Sequence, residues 1–441
     1  MQLLDNLIQK KIFVYIFCFI CICSITISFI YKINLSNIFG EIAPNAYLLE
    51  KNIYAKTGGV VSDLMTHWEY IQILRSDITN LFSYEMGVDT KLLNFPLHHI
   101  IFSQIYFLAD NFNNYLFFFF CFSLVIPFLF YLNMCEIFQN LEKRKILLIS
   151  SLIYIFPVFQ YTAIWGNNHI TAIFFFLIGT LFHLKLRKKK FIEIKYAYFS
   201  IIFLSLAAYT KNFYVFFFIY LFLDLFLNLK FKSLILITLF LILLAIPGLL
   251  FVLSNPLLFL GLQQKTTNFS SSILISGSIC FFYLIPFIIQ YLLNNLCNYK
   301  INIKKLFNVK VLAISLFIFV LCYPYFFYDG NIGAGIFYKL FYLILNYKII
   351  FFIISFLGIY FIFFFTRNNI QSYVLSLLLL CTFSSGFFVF QKYFEPMFFL
   401  IFLFYFNKEK IFLCLKKNNY ILLLYFLSYY LSANYIYFFG I

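Results

Sequence analysis

Residues able to handle protons or anions are scarce in this chain, so the places where they gather stand out. Charged residues make up only 11% of 441 positions and there are five histidines, yet "SDLMTHWEYI" carries Asp63, His67, Trp68, Glu69 and Tyr70 together. Asp63, His67 and Tyr70 are spaced i, i+4 and i+7, which puts them on one face of a helix over "DLMTHWEYIQIL". Ser62 or Asp63 also suits the N-cap, where a side-chain oxygen meets free backbone N–H groups, and capping is the ordinary explanation of Asp63. His67 lacks such an explanation, because a loop gains nothing structural from a histidine on the acid's face. Trp68 fits an anchor at lipid headgroups. Glu69 is a rival acid on another face.

Further polar clusters follow along the chain. "NFPLHHIIFSQIYFLAD" reads as a helix opening at Pro96 and lying on the outer leaflet, with His98 and His99 at the water–lipid boundary. Neighbours on a helix point about 100° apart, so two adjacent histidines make a poor metal pair, and no metal site is expected. "IWGNNHI" supplies Trp165, Asn167, Asn168 and His169, and "AAYTKNFY" supplies Lys211 and Asn212. "GLQQKTT" carries Lys265, and "FQKYFEP" carries Lys392 and Glu395. Each taken singly is a hairpin turn. Lys211 is harder to dismiss: lysine at mid-membrane costs roughly 2.5–3.5 kcal/mol, so it must reach an interface or meet an anion. A local ion pair with Lys392 explains Glu395, and snorkelling toward Lys230 explains Asp224.

The elements that must hold these groups follow from composition. A hydrophobic fraction of 64%, 69 Phe and a mean hydropathy of +0.94 exclude a soluble enzyme. Apolar runs of about 20 residues recur from end to end, the length that spans a bilayer. The pattern predicts an all-α polytopic membrane protein, one domain over residues 1–441, with about thirteen spans. The first span, 12–31, is uncleaved, since no small-x-small site follows it. Residues 32–113 then form a long outer loop bearing interfacial helices. The net charge of +16 arises from basic segments such as "KLRKKKFIEIK", which alternate between spans as the positive-inside rule expects. This distribution excludes nucleic acid as a partner. Cys18 and Cys21 form a CxxC within an apolar helix, where they pack. By the same topology every polar cluster faces outward. Together they describe a cavity at the membrane boundary suited to a substrate with a lipid tail and an anionic head.

At this point the chain resembles the GT-C superfamily of polyprenyl-phosphate-sugar-dependent glycosyltransferases. "DLMTH" is similar to the family's Asp-x-x-x-His pattern, and "NFPLHHIIF" to its juxtamembrane Pro-Pro-Leu-Tyr-Tyr helix. "WGNNHITAIFFFLIGTLF" resembles the third outer hairpin, "YTKNFY" a Thr-Arg/Lys-Gln/Asn segment, and "QKYFEPMFF" an Arg-Tyr/Phe-x-x-Pro signature. The resemblance implies inverting sugar transfer at the exterior face of the cell inner membrane, to a lipid, glycan or protein acceptor. It implies Asp63 as general base. Lys211 and Asn212, with Lys265 and Lys392, would hold the donor phosphate. His67, Trp68, Glu69, His98, His99, Trp165, Asn167, Asn168, His169 and Glu395 would bind substrate. Leu64 stands where many relatives have a second acid, which removes a paired-carboxylate metal site, so neither metal nor other cofactor is expected. The alternatives are an O-antigen-type polymerase or ligase, whose outer arginines are reduced here to Arg75, and a lipid-linked-sugar flippase or transporter.

Overall fold

The computed structural model describes residues 11–38, 60–82, 95–254, 269–296, 308–328, 334–366, 369–381, 389, 391–416 and 419–439. Every regular element among them is a helix, as expected where no water is present to satisfy backbone N–H and C=O groups. In chain order, α1 is Lys11–Ile38. The long loop contributes α2 (Val60–Ser76), α3 (Leu97–Ser103) and α4 (Tyr106–Ala109). Then come α5 (Phe112–Ser123), α6 (Val125–Ile137), α7 (Lys143–Ser151), α8 (Pro157–Ile164), α9 (Asn168–Lys188) and α10 (Lys195–Thr210). The second half holds α11 (Val215–Asn228), α12 (Phe231–Ser254), α13 (Phe269–Leu296), α14 (Val309–Cys322) and α15 (Lys348–Phe364). Last are α16 (Ile370–Cys381), α17 (Met397–Tyr405), α18 (Lys408–Lys416) and α19 (Asn419–Phe439).

Among the described residues, five segments are long and apolar enough to cross a bilayer: Lys11–Ile30, Phe112–Ile137, Asn168–Lys188, Phe231–Ser254 and Phe269–Asn294. Two bent pairs, Lys143–Ile155 with Pro157–Ile164 and Lys408–Lys416 with Asn419–Ala433, raise the number to seven if each is one span. Other apolar helices have only 10–17 residues. At ~1.5 Å per residue, a 16-residue helix such as α10 reaches about 24 Å, short of a ~30 Å hydrocarbon core. Hydropathy counts such short apolar helices as spans, which is why it expects more of them than the long helices supply.

Two faces of the bundle are distinguishable. On α12, Leu236, Leu239, Leu243, Ile246, Leu250 and Leu253 form an exposed stripe at helical spacing, the side that lipid would cover. Most of α13, by contrast, is buried. Polar pins join the inner helices: Asn133 on α6 donates to the Leu177 carbonyl of α9 at 3.0 Å and accepts from Thr180 at 3.1 Å. Such pairs supply the specificity that apolar packing in lipid lacks. One expectation is corrected here. The single interfacial helix expected from Pro96 onward is broken at Ile105, whose extended backbone separates α3 from α4.

Candidate functional site

α2 and α3 meet through two histidines. Tyr70, Ile71 and Leu74 give α2 its buried stripe, and His67 lies on the same side with its Nδ1 2.9 Å from His99 Nε2. Polar contacts fix the far end of the helix: Gln72 donates to the Ala109 carbonyl at 2.7 Å, and Arg75 pairs with Asp110. His98 and His99 are fully buried within the protein, because α3 packs against α2.

The proton positions on His98 follow from its neighbours. The Tyr115 hydroxyl donates its one proton to the Gly166 carbonyl at 2.7 Å, so it accepts from His98 Nε2 at 3.1 Å. That leaves His98 Nδ1 to accept from the Thr171 hydroxyl at 3.0 Å. His98 is therefore saturated and acts as a brace between α3, α5 and α9. His99 differs, since its Nδ1 is buried with no hydrogen-bond partner among the described residues. Gly166 completes the brace: its φ is +59° and a Cβ there would lie 2.6 Å from Tyr115 Cε1, so only glycine permits the carbonyl to face Tyr115.

The start of α9 and the end of α10 bring in the remaining groups. Asn167 caps α9, its side-chain oxygen accepting from the His169 N–H at 3.1 Å, so this residue serves the helix end. Asn168 is buried, and neither atom of its amide has a hydrogen-bond partner among the described residues. His169 packs against the rings of Phe213 and Tyr393, each 5.8 Å away between centroids, the three rings forming a triangle. Lys211 occupies the C-cap of α10, where the negative end of the helix dipole favours a cation, and it is only 7% exposed. Its charge acts on His67, His98 and His99. Burial first, then neighbouring histidines and Lys211, hold His67 well below the usual imidazole range; burial and then His99 and Lys211 do the same for His98. Burial and Lys211 bring His99 down to about 3. All three are thus neutral at physiological pH, and they stand beside a lysine.

His67, His98, His99, His169 and Lys211 therefore share one buried polar cluster, with Asn168 next to His169 at the start of α9 and Trp165 buried in the turn before it. Asp63 lies one helical turn before His67 on the backbone of α2, and its side chain lies outside the described residues. Lys265 lies outside them altogether. The backbone of Lys392 is in a turn over Gln391–Tyr393, but its side chain is not described. Trp68 is half-buried against Phe112 and Tyr115, a packing position, and Glu69 is half-buried beside it. Asn212 is exposed. Glu395 does not join the cluster: its carboxylate accepts from the Val158 N–H at 2.7 Å, from the Tyr283 hydroxyl and from the Tyr429 hydroxyl at 3.0 Å. It clamps the start of α8 to α13 and α19.

A second network escaped the sequence reading. Asp224 is buried rather than snorkelling toward Lys230; it receives His183 Nε2 at 2.8 Å, Arg187 through two nitrogens at 2.8 and 3.0 Å and Gln371 at 3.0 Å. The available signal was His183 and Arg187 at i, i+4, one face of α9, which could have been matched to the isolated acid of α11. Tyr115 and Thr171 had no such signal. Comparison with family models, curated proteins and solved structures finds no match to this chain.

Proposed function

We propose that the chain is an integral-membrane glycosyltransferase of GT-C-like architecture, its apolar helices making up about thirteen membrane passages. It would move a sugar from a polyprenyl-phosphate donor to a hydroxyl acceptor at the exterior face of the cell inner membrane. The observation that carries this reading is the meeting of three buried neutral histidines with Lys211, one turn along α2 from Asp63. In the reaction, the acceptor oxygen attacks the anomeric carbon from the face opposite the phosphate, and the carbon–oxygen bond to phosphate breaks. The hydroxyl proton passes to the Asp63 carboxylate, and the departing polyprenyl phosphate gains charge beside Lys211. His99 Nδ1 and the Asn168 amide offer unmet hydrogen-bonding capacity to sugar hydroxyls, and leaving such groups unmet costs about 1–3 kcal/mol each. Neutral histidines serve this purpose without repelling Lys211.

The test is sugar transfer in proteoliposomes from a synthetic polyprenyl-phosphate donor. Asp63→Asn is expected to cut turnover by about 10²–10⁴, and Lys211→Gln by about 10²–10³, with membrane insertion unchanged. Undiminished transfer by Asp63→Asn would remove the base and with it the mechanism. A lipid-linked-sugar transporter is the alternative reading, and polar groups at the ends of α9 rather than midway along it count against it. It requires donor to appear on the far leaflet with no glycoside formed.

A further inference from the structure

The end of α9 opposite Asn168 borders a cavity of about 430 Å³, within the size range of small-ligand sites. Counting ~1.5 Å per residue, Arg187 lies about 27 Å along the helix from His169, so this cavity is separate from the cluster described above. Its walls gather the ends of α6, α9, α11 and α17 and the starts of α16 and α18. Charged residues in the lining are Arg187, Lys188, Lys408, Glu136 and Asp224.

Asp224 offers nothing to a ligand, because its carboxylate is 2% exposed and taken up by His183, Arg187 and Gln371. Its effect is to orient Arg187. The guanidinium gives Nε and Nη2 to Asp224, while Nη1 has no partner among the described residues and the side chain keeps 17% exposure. Glu136 is likewise engaged, by Lys188 at 2.8 Å. Three cations of the wall, Arg187, Lys188 and Lys408, stand against two acids, so the lining keeps a net positive charge of one, and Asp224 fixes the geometry of Arg187 from behind. A planar guanidinium with N–H groups left over is matched to the oxygens of phosphate. The adjoining basic run Lys188, Lys189, Lys190 draws anions toward it, and Ile137, Leu184 and Phe404 give the walls an apolar part.

We infer that this cavity is a phosphate-binding site, formed by Arg187 with Lys188 and Lys408, at the pole of the bundle opposite the proposed catalytic cluster. The phosphate comes either from an anionic lipid headgroup or from solution, and the site stands whether or not the chain transfers sugar. The experiment measures thermal unfolding of the purified full-length protein in nanodiscs of phosphatidylcholine, with phosphatidylglycerol at increasing fractions or with inorganic phosphate. Stabilisation by phosphatidylglycerol alone identifies a lipid headgroup; stabilisation by inorganic phosphate as well identifies a site open to either source. In both cases Arg187→Gln is expected to raise the half-saturating concentration by about tenfold or more, the equivalent of one charge-assisted hydrogen bond. Because Arg187→Gln also strands Asp224, the triple substitution Lys188→Gln, Lys408→Gln and Glu136→Gln is measured beside it, removing both lysines while leaving neither acid stranded and the Asp224 network intact. No stabilisation by either probe, or stabilisation that both variants retain in full, overturns the site.

Discussion

At the scale of the residue, buried histidines make stability depend on pH in a defined direction. In the unfolded chain an imidazole takes up a proton below about 6.5. His99 in the fold does so only near 3, and His67 and His98 are also held low. Between those limits the unfolded state binds more protons, so stability present above about pH 6.5 is lost as pH falls, each histidine contributing up to about 1.4 kcal/mol per pH unit. Melting of the purified protein at pH 7.5 and pH 5 should therefore show a lower Tm in acid, and His98→Gln should flatten that difference. An equal acid shift in wild type and variant would mean that His98 is not the neutral brace between Thr171 and Tyr115. Sequence spacing read His67 correctly as sharing a face with Tyr70, since helix periodicity is local. It gave no sign of the bonds of His98 to Tyr115 and Thr171, because that burial is a tertiary event that α3 alone does not signal.

At the scale of the element, Lys211 is placed by the way α10 is fastened to α12. Pro247 interrupts the hydrogen-bond ladder of α12 because it has no N–H. Alongside that turn the Tyr209 hydroxyl donates to the Leu244 carbonyl and accepts from the Gly248 N–H at 3.2 Å. Gly248 allows the close approach, since a Cβ there would lie 2.9 Å from the tyrosine ring. Tyr209→Phe keeps the ring and removes the hydroxyl that ties α10 to α12, at a net cost of about 0.5–1.5 kcal/mol per hydrogen bond lost. The expected outcome is a lowered Tm together with a raised KM for the lipid-phosphate donor, because the end of α10 carrying Lys211 is released. A lowered Tm with donor KM unchanged would show that the anchor serves folding alone. "YTKNFY" was legible as a turn bearing a cation. The anchor was not, because it joins two helices 39 positions apart in sequence.

At the scale of the whole molecule, the arrangement of charge makes a claim about sidedness that composition alone cannot make. α9 carries His169 at one end and Arg187 at the other and is long and apolar enough to cross a bilayer; under the proposed function it does cross, which would put its two polar ends at opposite faces. The positive-inside rule would then put the basic run near Lys189 in the cytoplasm and the proposed catalytic cluster around Lys211 outside. Exposed positions beside each pole give the test: Asn212, next to Lys211, and Lys189, beyond the end of α9. In a background with the native cysteines removed, Asn212→Cys in intact cells should react with a membrane-impermeant maleimide, whereas Lys189→Cys should react only after permeabilisation. The reverse pattern would put the proposed catalytic cluster inside, where a base and a phosphate-holding lysine would meet nucleotide sugars instead of extracellular acceptors. Labelling of both from outside would show that α9 does not cross, and the separation of the two polar sites by a membrane would fall with it.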